Sequence, residues 1–281
     1  MQVIKTIAEF RALRVELSRK SFTVALVPTM GALHTGHLSL ISRAREIADR
    51  VVVSVFVNPT QFGTSEDLGR YPRPLEKDLA LLEQERVNIL FLPEAGEMYP
   101  PSYRTYVAVE ELGQKYCGQF RPGHFRGVAT VVLKLLNIVQ PTVALFGQKD
   151  AQQCVIVQRL VEDLNLDAQV VVCPTVREPD GLAASSRNEY LPAEQRRAAA
   201  VLHRSLLRAE EGVRSGERLS ANILEGVREL ILGEPLVRLQ YADIVDPQDL
   251  SPMAIIDRDA LLLLAALVGN TRLIDNTLLR P

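Results

Sequence analysis

Residues 23–57, TVALVPTMGALHTGHLSLISRAREIADRVVVSVFV, decide the fold. Two β-branched runs, Thr23–Val27 and Val51–Val57, carry no polar alternation, as expected of strands covered on both faces. Between them His37–Ala48 sets Leu38, Ile41, Ala44 and Ala48 on one helical stripe. Strand, helix, strand is a parallel βαβ unit. The pattern recurs downstream. Leu75–Glu85 reads as a helix, Ile89–Leu92 as a strand, Val128–Val139 as a helix and Val143–Phe146 as a strand. Gln152–Leu164 is then a helix and Val170–Val172 a strand. A Rossmann-like, doubly wound parallel sheet follows, with ligands expected beyond the carboxyl ends of its strands.

The stretch Arg177–Pro192 is long, polar and aperiodic, and loops of more than ~12 residues inside a compact domain are usually functional or mobile. After it the character changes. Gln195–Glu211 and Ser220–Leu232 read as helices rich in Ala, Leu and Arg, followed by strands at Leu236–Val245, Leu261–Leu267 and Arg272–Leu279. The expected organisation is an α/β domain over 1–180 and a smaller α+β domain over 181–281 that closes over the site.

With 281 residues, 47% hydrophobic and 23% charged, the chain has ordinary globular usage. Disorder and collagen-like repeats are excluded. A formal net charge of −2 with a pI near 6.1 argues against a nucleic-acid partner, which calls for a basic face. Cys117, Cys154 and Cys173 lack the spacing of a zinc site or disulfide framework and read as reduced core thiols. Met1–Leu17 interrupts its apolar residues with Lys5, Glu9, Arg11, Arg14 and Glu16, unlike a secretory signal. The longest apolar run, Ala260–Val268, falls short of the ~20 residues of a membrane helix. The expected location is the cytoplasm, with no membrane partner.

The candidate chemistry starts on the turn after the first strand. In Pro28–His37, Gly31 and Gly36 permit close backbone approach to a ligand, and the following helix start supplies N–H donors and a positive dipole end. His34 and His37 there can hydrogen-bond or protonate phosphate oxygens near neutral pH. The alternative is that they only satisfy the helix start. Gly147 ends a second buried strand, before Lys149, a mobile point charge. Asp150 is either a ligand or a helix N-cap. Ser185, Ser186 and Arg187 form a phosphate-binding set of two hydroxyls and a planar fork. Gln61 and Gln153 offer both donor and acceptor. Arg121 and His124 are either partners of substrate charge or structural, and His203 reads as a surface residue.

His34-Thr-Gly-His37 resembles the HxGH signature of the adenylyl-transferring superfamily that includes class I aminoacyl-tRNA synthetases. Val57–Phe62, Arg121–Phe125, Phe146–Asp150 and Ser185–Asn188 follow in order, and Arg272–Asn276 continues the series. Together they resemble the pantoate–β-alanine ligase (pantothenate synthetase) family. The resemblance implies two half-reactions. ATP and (R)-pantoate give a pantoyl adenylate and pyrophosphate; the amine of β-alanine then displaces AMP to form pantothenate. It makes His37, His34 and Lys149 catalytic, with His37 the acid acting on the phosphates. It gives ATP to Met30, Gly31, Ala32, Leu33, His34, Thr35, Gly36 and His37, to Gly147, Gln148, Lys149 and Asp150, and to Val176, Ala184, Ser185, Ser186 and Arg187. Gln61 and Gln153 would hold pantoate, Gln61 also bordering the β-alanine site, and Arg121 would contact substrate. Ala184 departs from the bulkier Met or Leu of the family.

ATP implies Mg²⁺, which favours phosphate oxygens and water over a protein cage. No dense carboxylate cluster marks a metal site; Asp78 is the one acidic position worth testing, and it reads as a helix-surface carboxylate. The family also implies a homodimer. A nucleotidyltransferase acting on a phosphorylated cofactor precursor would share HxGH and the sheet, but amides at 61 and 153 suit a carboxylate better than a phosphate. A tRNA ligase would need a basic face, and a nucleotide sensor would have no use for the whole phosphate-neutralising set.

Overall fold

The computed structural model describes residues 1–63 and 66–281. The chain divides into two compact units, Met1–Gly147 with Ile156–Cys173, and Gln148–Val155 with Pro174–Pro281. In the first unit the strands are β1 (Gln2–Ile4), β2 (Val24–Thr29), β3 (Arg50–Val55), β4 (Ile89–Phe91), β5 (Val143–Gly147) and β6 (Gln169–Cys173). They form one sheet in the order β1-β4-β3-β2-β5-β6, every pair parallel. The winding reverses between β2 and β5, so their carboxyl ends flank a switch point, where ligands of open α/β sheets bind.

The helices are α1 (Ile7–Arg19), α2 (Thr35–Ile47), α3 (Leu75–Gln84), the short α4 (Ala95–Met98) and α5 (Cys117–Phe120), α6 (His124–Val139) and α7 (Ala151–Asp163). Alternate strand residues Ala25, Val27, Val51, Val53, Leu90, Val143 and Leu145 bury against Leu40, Ile41 and Ala44 of α2 and Leu82 of α3. Helix α6 packs on β2 and against α1. A sheet covered on both faces explains why its strands show no polar alternation. Helix α6 begins one turn before the expected Val128, because Gly123 takes the left-handed conformation at the N-cap. The pair β1 and α1 has no counterpart in the sequence reading. Strand β1 has only 3 residues, and α1 is set by a Thr6–Glu9 capping box.

The second unit contains α8 (Ala193–Ala199), α9 (Val201–Arg214), α10 (Ser220–Leu232) and the strands β7 (Val237–Val245), β8 (Ala260–Val268) and β9 (Thr271–Leu279). The strands form an antiparallel sheet with β8 in the centre. The uninterrupted apolar run of β8 is thereby buried along nearly its whole length. Ile223, Val227 and Ile231 of α10 pack with Leu202, Leu206 and Val213 of α9. Gln195–Glu211, expected as one helix, is divided at Ala200, which ends α8 and begins α9. No helix among the described residues is long and apolar enough to cross a membrane.

Candidate active site

At the carboxyl end of β2 the backbone makes two left-handed residues in a row, Gly31 (φ 80°) and Ala32 (φ 50°). A Cβ on Gly31 would lie 3.0 Å from Asp78 Oδ2 and 3.1 Å from Val55, so the turn needs glycine for space as well as for φ. Asp78 corrects the sequence reading. It is 1% exposed, and its two oxygens accept the backbone N–H groups of Ala32 and Leu33, each at 2.8 Å. A charge-assisted bond of this kind is worth about 1.5–3 kcal/mol. Asp78 therefore fixes the shape of the turn by accepting two of its N–H groups.

His34 is the N-cap of α2. Its Nδ1 accepts the Gly36 N–H at 3.2 Å, and the His37 Nδ1 accepts the His34 N–H at 3.4 Å. The ring centroids lie 4.1 Å apart, with the planes tilted by 38°. The helix-start role open in the sequence is thus carried by the Nδ1 atoms. Each Nδ1 caps the helix, and because it accepts a backbone proton, the neutral ring carries its own proton on Nε2. The pair sits where the carboxyl end of β2 meets the start of α2.

Gln61 lies on a tight turn, Pro59–Gln61, and is buried. Its Oε1 accepts the Asn58 side-chain N–H at 2.9 Å, while its Nε2 lies 3.1 Å from the Met30 sulfur. The orientation follows from the backbone. Asn58 Oδ1 accepts the Thr60 N–H at 3.3 Å, so its nitrogen must face Gln61 and the Gly127 carbonyl, the latter at 3.1 Å. Gln61 thus accepts through Oε1 and donates through Nε2, the two-way amide expected. A Cβ on Gly127 would fall 2.4 Å from the Thr60 carbonyl oxygen, so α6 lies directly against this turn.

Arg121 holds Glu66 with both edges of its fork, at 2.8 and 2.5 Å. Its third nitrogen meets His124 Nε2 at 3.1 Å, and His124 Nδ1 bonds the Gln61 carbonyl at 2.8 Å. Since Arg only donates, the neutral His124 carries its proton on Nδ1 and donates to Gln61. Burial raises the Glu66 carboxyl pKa, but the Arg121 hydrogen bonds and charge outweigh it, and the group lies below its ordinary value. Arg121 thus already has a carboxylate partner within the protein.

In the second unit, Gln148–Asp150 is a single tight turn running into α7. The Lys149 ammonium lies 3.8 Å from Asp150, its side chain one-fifth exposed (20%). Gln153 is half-buried on the first turn of α7. Arg177–Pro192 is ordered without a helix or strand period. Arg177 and Ala183 form an antiparallel bridge, and the Ala184 N–H donates to the Val176 carbonyl at 2.9 Å. Ala184 is 3% exposed, its methyl packed inward. Asn188 ties the segment together by donating to Glu178 and to the Ala183 carbonyl. Ser185 caps the turn Ser186–Tyr190 through the Arg187 N–H. His203, read as a surface residue, lies beneath this segment, its Nδ1 2.3 Å from where a Cβ on Gly181 would sit. Burial is the main cause lowering its pKa. Among the described residues no group of three or more His, Cys, Asp or Glu side chains is arranged to hold a metal ion.

The model of the pantoate–β-alanine ligase family matches residues 2–278. The chain belongs to that family. It is similar to a pantothenate synthetase of Pelotomaculum thermopropionicum, 54% identical over 279 residues and 99% of each chain. The crystal structure of the Thermus thermophilus pantothenate synthetase superposes with a TM-score of 0.95 at 46% identity, each chain covered completely. The Francisella tularensis pantoate–β-alanine ligase, in a complex with β-γ ATP and β-alanine, gives 0.82 at 35% identity, covering 99% of this chain and 97% of the other. Family membership agrees with the resemblance carried by HxGH and the later motifs. What those motifs did not reveal is the layer behind this ligase's candidate residues: Asp78 under Ala32 and Leu33, Asn58 behind Gln61, Glu66 on Arg121. Asn58 stood inside a quoted motif, and the Asn-Pro-Thr turn signal was the clue available for it.

Proposed function

We propose that the chain ligates (R)-pantoate and β-alanine to pantothenate at the expense of ATP. A pantoate carboxylate oxygen attacks the α-phosphorus, and the bond to the bridging oxygen of the β-phosphate breaks, releasing pyrophosphate. The amine of β-alanine, having lost a proton, then attacks the acyl carbon, and the carbon–oxygen bond to AMP breaks. The observation that carries this reading is the pair of imidazoles, 4.1 Å apart, that the β2–α2 turn brings together. Phosphoryl transfer needs positioning and charge stabilisation more than covalent help. His34 and His37 supply donors to the phosphate oxygens, and Lys149 supplies the charge that follows the leaving pyrophosphate. The segments Met30–His37, Gly147–Asp150, Val176 and Ala184–Arg187 bind ATP; Gln61 and Gln153 bind pantoate.

Mg²⁺ would come with the nucleotide and neutralise phosphate charge, a hard cation that favours phosphate oxygens and water over a protein cage. Asp78 suits no cation, since both its oxygens accept backbone N–H groups. We further propose a homodimer in the cytoplasm, checked by light scattering and cell fractionation.

The deciding experiment is isotope exchange. Labelled pyrophosphate should enter ATP when pantoate is present and β-alanine is not. Exchange that requires β-alanine, or that runs without pantoate, contradicts an acyl-adenylate intermediate.

Gln61 tests the pantoate side. An amide that holds the substrate equally before and during reaction contributes uniform binding, whose loss raises KM and spares kcat. A hydrogen bond to a charged group is worth about 1.5–3 kcal/mol, so Gln61→Ala should raise the pantoate KM roughly 10- to 100-fold. The ATP KM should barely move. Steady-state kinetics with each substrate varied would show the reverse pattern if Gln61 served the nucleotide.

A further inference from the structure

Strand β9 carries two adjacent polar residues, Asp275 and Asn276, that are 4% and 3% exposed. Buried polar side chains cost stability unless their hydrogen bonds are made. Here they are made, and with particular partners. The Asn276 amide nitrogen donates to the carbonyls of Gln148 at 2.8 Å and Lys149 at 3.0 Å. Its Oδ1 accepts the Gln148 side-chain N–H at 3.4 Å. Asp275 accepts both arms of the Arg177 fork, at 2.7 and 3.0 Å, and also the Asn276 N–H at 2.8 Å.

The two carbonyls belong to the peptide planes on either side of the Lys149 Cα. One amide therefore fixes both planes, and with them the direction in which the lysine stem leaves the backbone. Through Asp275 the same strand also holds Arg177, next to Val176.

We propose that Asn276 is a positioning residue for Lys149, and that Asp275 anchors the neighbouring Val176–Ala184 segment to the same strand. The inference rests on the reading of Lys149 as the cation that stabilises the transition state. A lysine stem is flexible, so only its root can be preset by the fold. Electrostatic stabilisation depends on that presetting, and a displacement of about 1 Å can cost roughly 10²-fold in rate.

The test is a double-mutant cycle on the full-length enzyme, read as kcat and KM with thermal unfolding alongside. Asn276→Asp keeps the shape but sets a carboxylate against two carbonyls; Asn276→Ala removes the donors without adding charge. Each should lower kcat about 10- to 100-fold by the positioning argument, with the pantoate KM little changed. With Lys149→Ala already present, each should cost less than about 3-fold, because the group being positioned is gone. A merely structural role would lower the melting temperature and reduce rate by the same factor in both backgrounds. That result, or normal kcat in both single variants, overturns the proposal while leaving Lys149 in place. A Lys149→Ala enzyme with normal kcat instead overturns the reading of Lys149, and this proposal with it.

Discussion

His37→Ala is expected to lower kcat about 10²- to 10³-fold, the usual cost of deleting one preorganised donor to a developing oxyanion. On the proposed reading the ring serves two purposes through two atoms, and two further substitutions separate them. In His37→Asn the amide can replace Nδ1 as acceptor of the His34 N–H but does not reach where Nε2 stands. This variant should regain the thermal stability lost in His37→Ala, where a cap contribution of about 0.5–2 kcal/mol is at stake, and remain slow. In His37→Gln the longer amide can place a donor near the Nε2 position, and part of kcat should return without the cap. Normal turnover in His37→Asn would reduce His37 to a helix cap.

For Lys149→Ala we expect a comparable loss, about 10²–10³ in kcat, with a smaller change in the ATP KM. As the α-phosphorus is attacked, negative charge moves toward the departing pyrophosphate. A cation aimed there binds the transition state more tightly than ground-state ATP, and such differential binding appears in kcat. Lys149→Met should match the alanine variant, since it keeps the stem and loses the charge. Lys149→Arg should recover only part of the rate, because a planar fork is not a point charge on a mobile stem. A Lys149→Ala enzyme impaired only in the pantoate KM would assign the lysine to the acid substrate instead.

The sheet was legible because its signals are local. Val51–Val55 and Val143–Phe146 announce buried parallel strands by composition, and the Leu38–Ile41–Ala44 stripe announces the helix between. The histidines were legible for the same reason, being three residues apart on one turn. The layer behind them was not. Asp78 reaches Ala32 and Leu33 across 46 and 45 positions, Glu66 meets Arg121 across 55, and Asn276 meets Gln148 across 128. No periodicity encodes contacts of that span. The tautomers were equally hidden, since only the placement of backbone N–H groups at His34 and His37, and of Arg121 and the Gln61 carbonyl at His124, assigns the ring protons. Arg177–Pro192 looked shapeless because bridges and side-chain ties order it in place of a helix or strand pattern.

The interleaving of the two units has a consequence for biosynthesis. Gln148–Val155 groups with residues beyond Pro174, and its anchor Asn276 is 128 positions downstream. A ribosome adding about 5–20 residues per second needs roughly 6–25 s to travel from one to the other. Throughout that interval a nascent chain can hold strands β1–β5 and the histidine turn while the lysine turn has no strand to rest on. Pairing across such a separation is also slow to form, since chain closure must precede the contact that rewards it. The turn that holds the histidines can form early in translation. The turn that holds Lys149 gains its anchor only when the third strand of the small sheet has emerged.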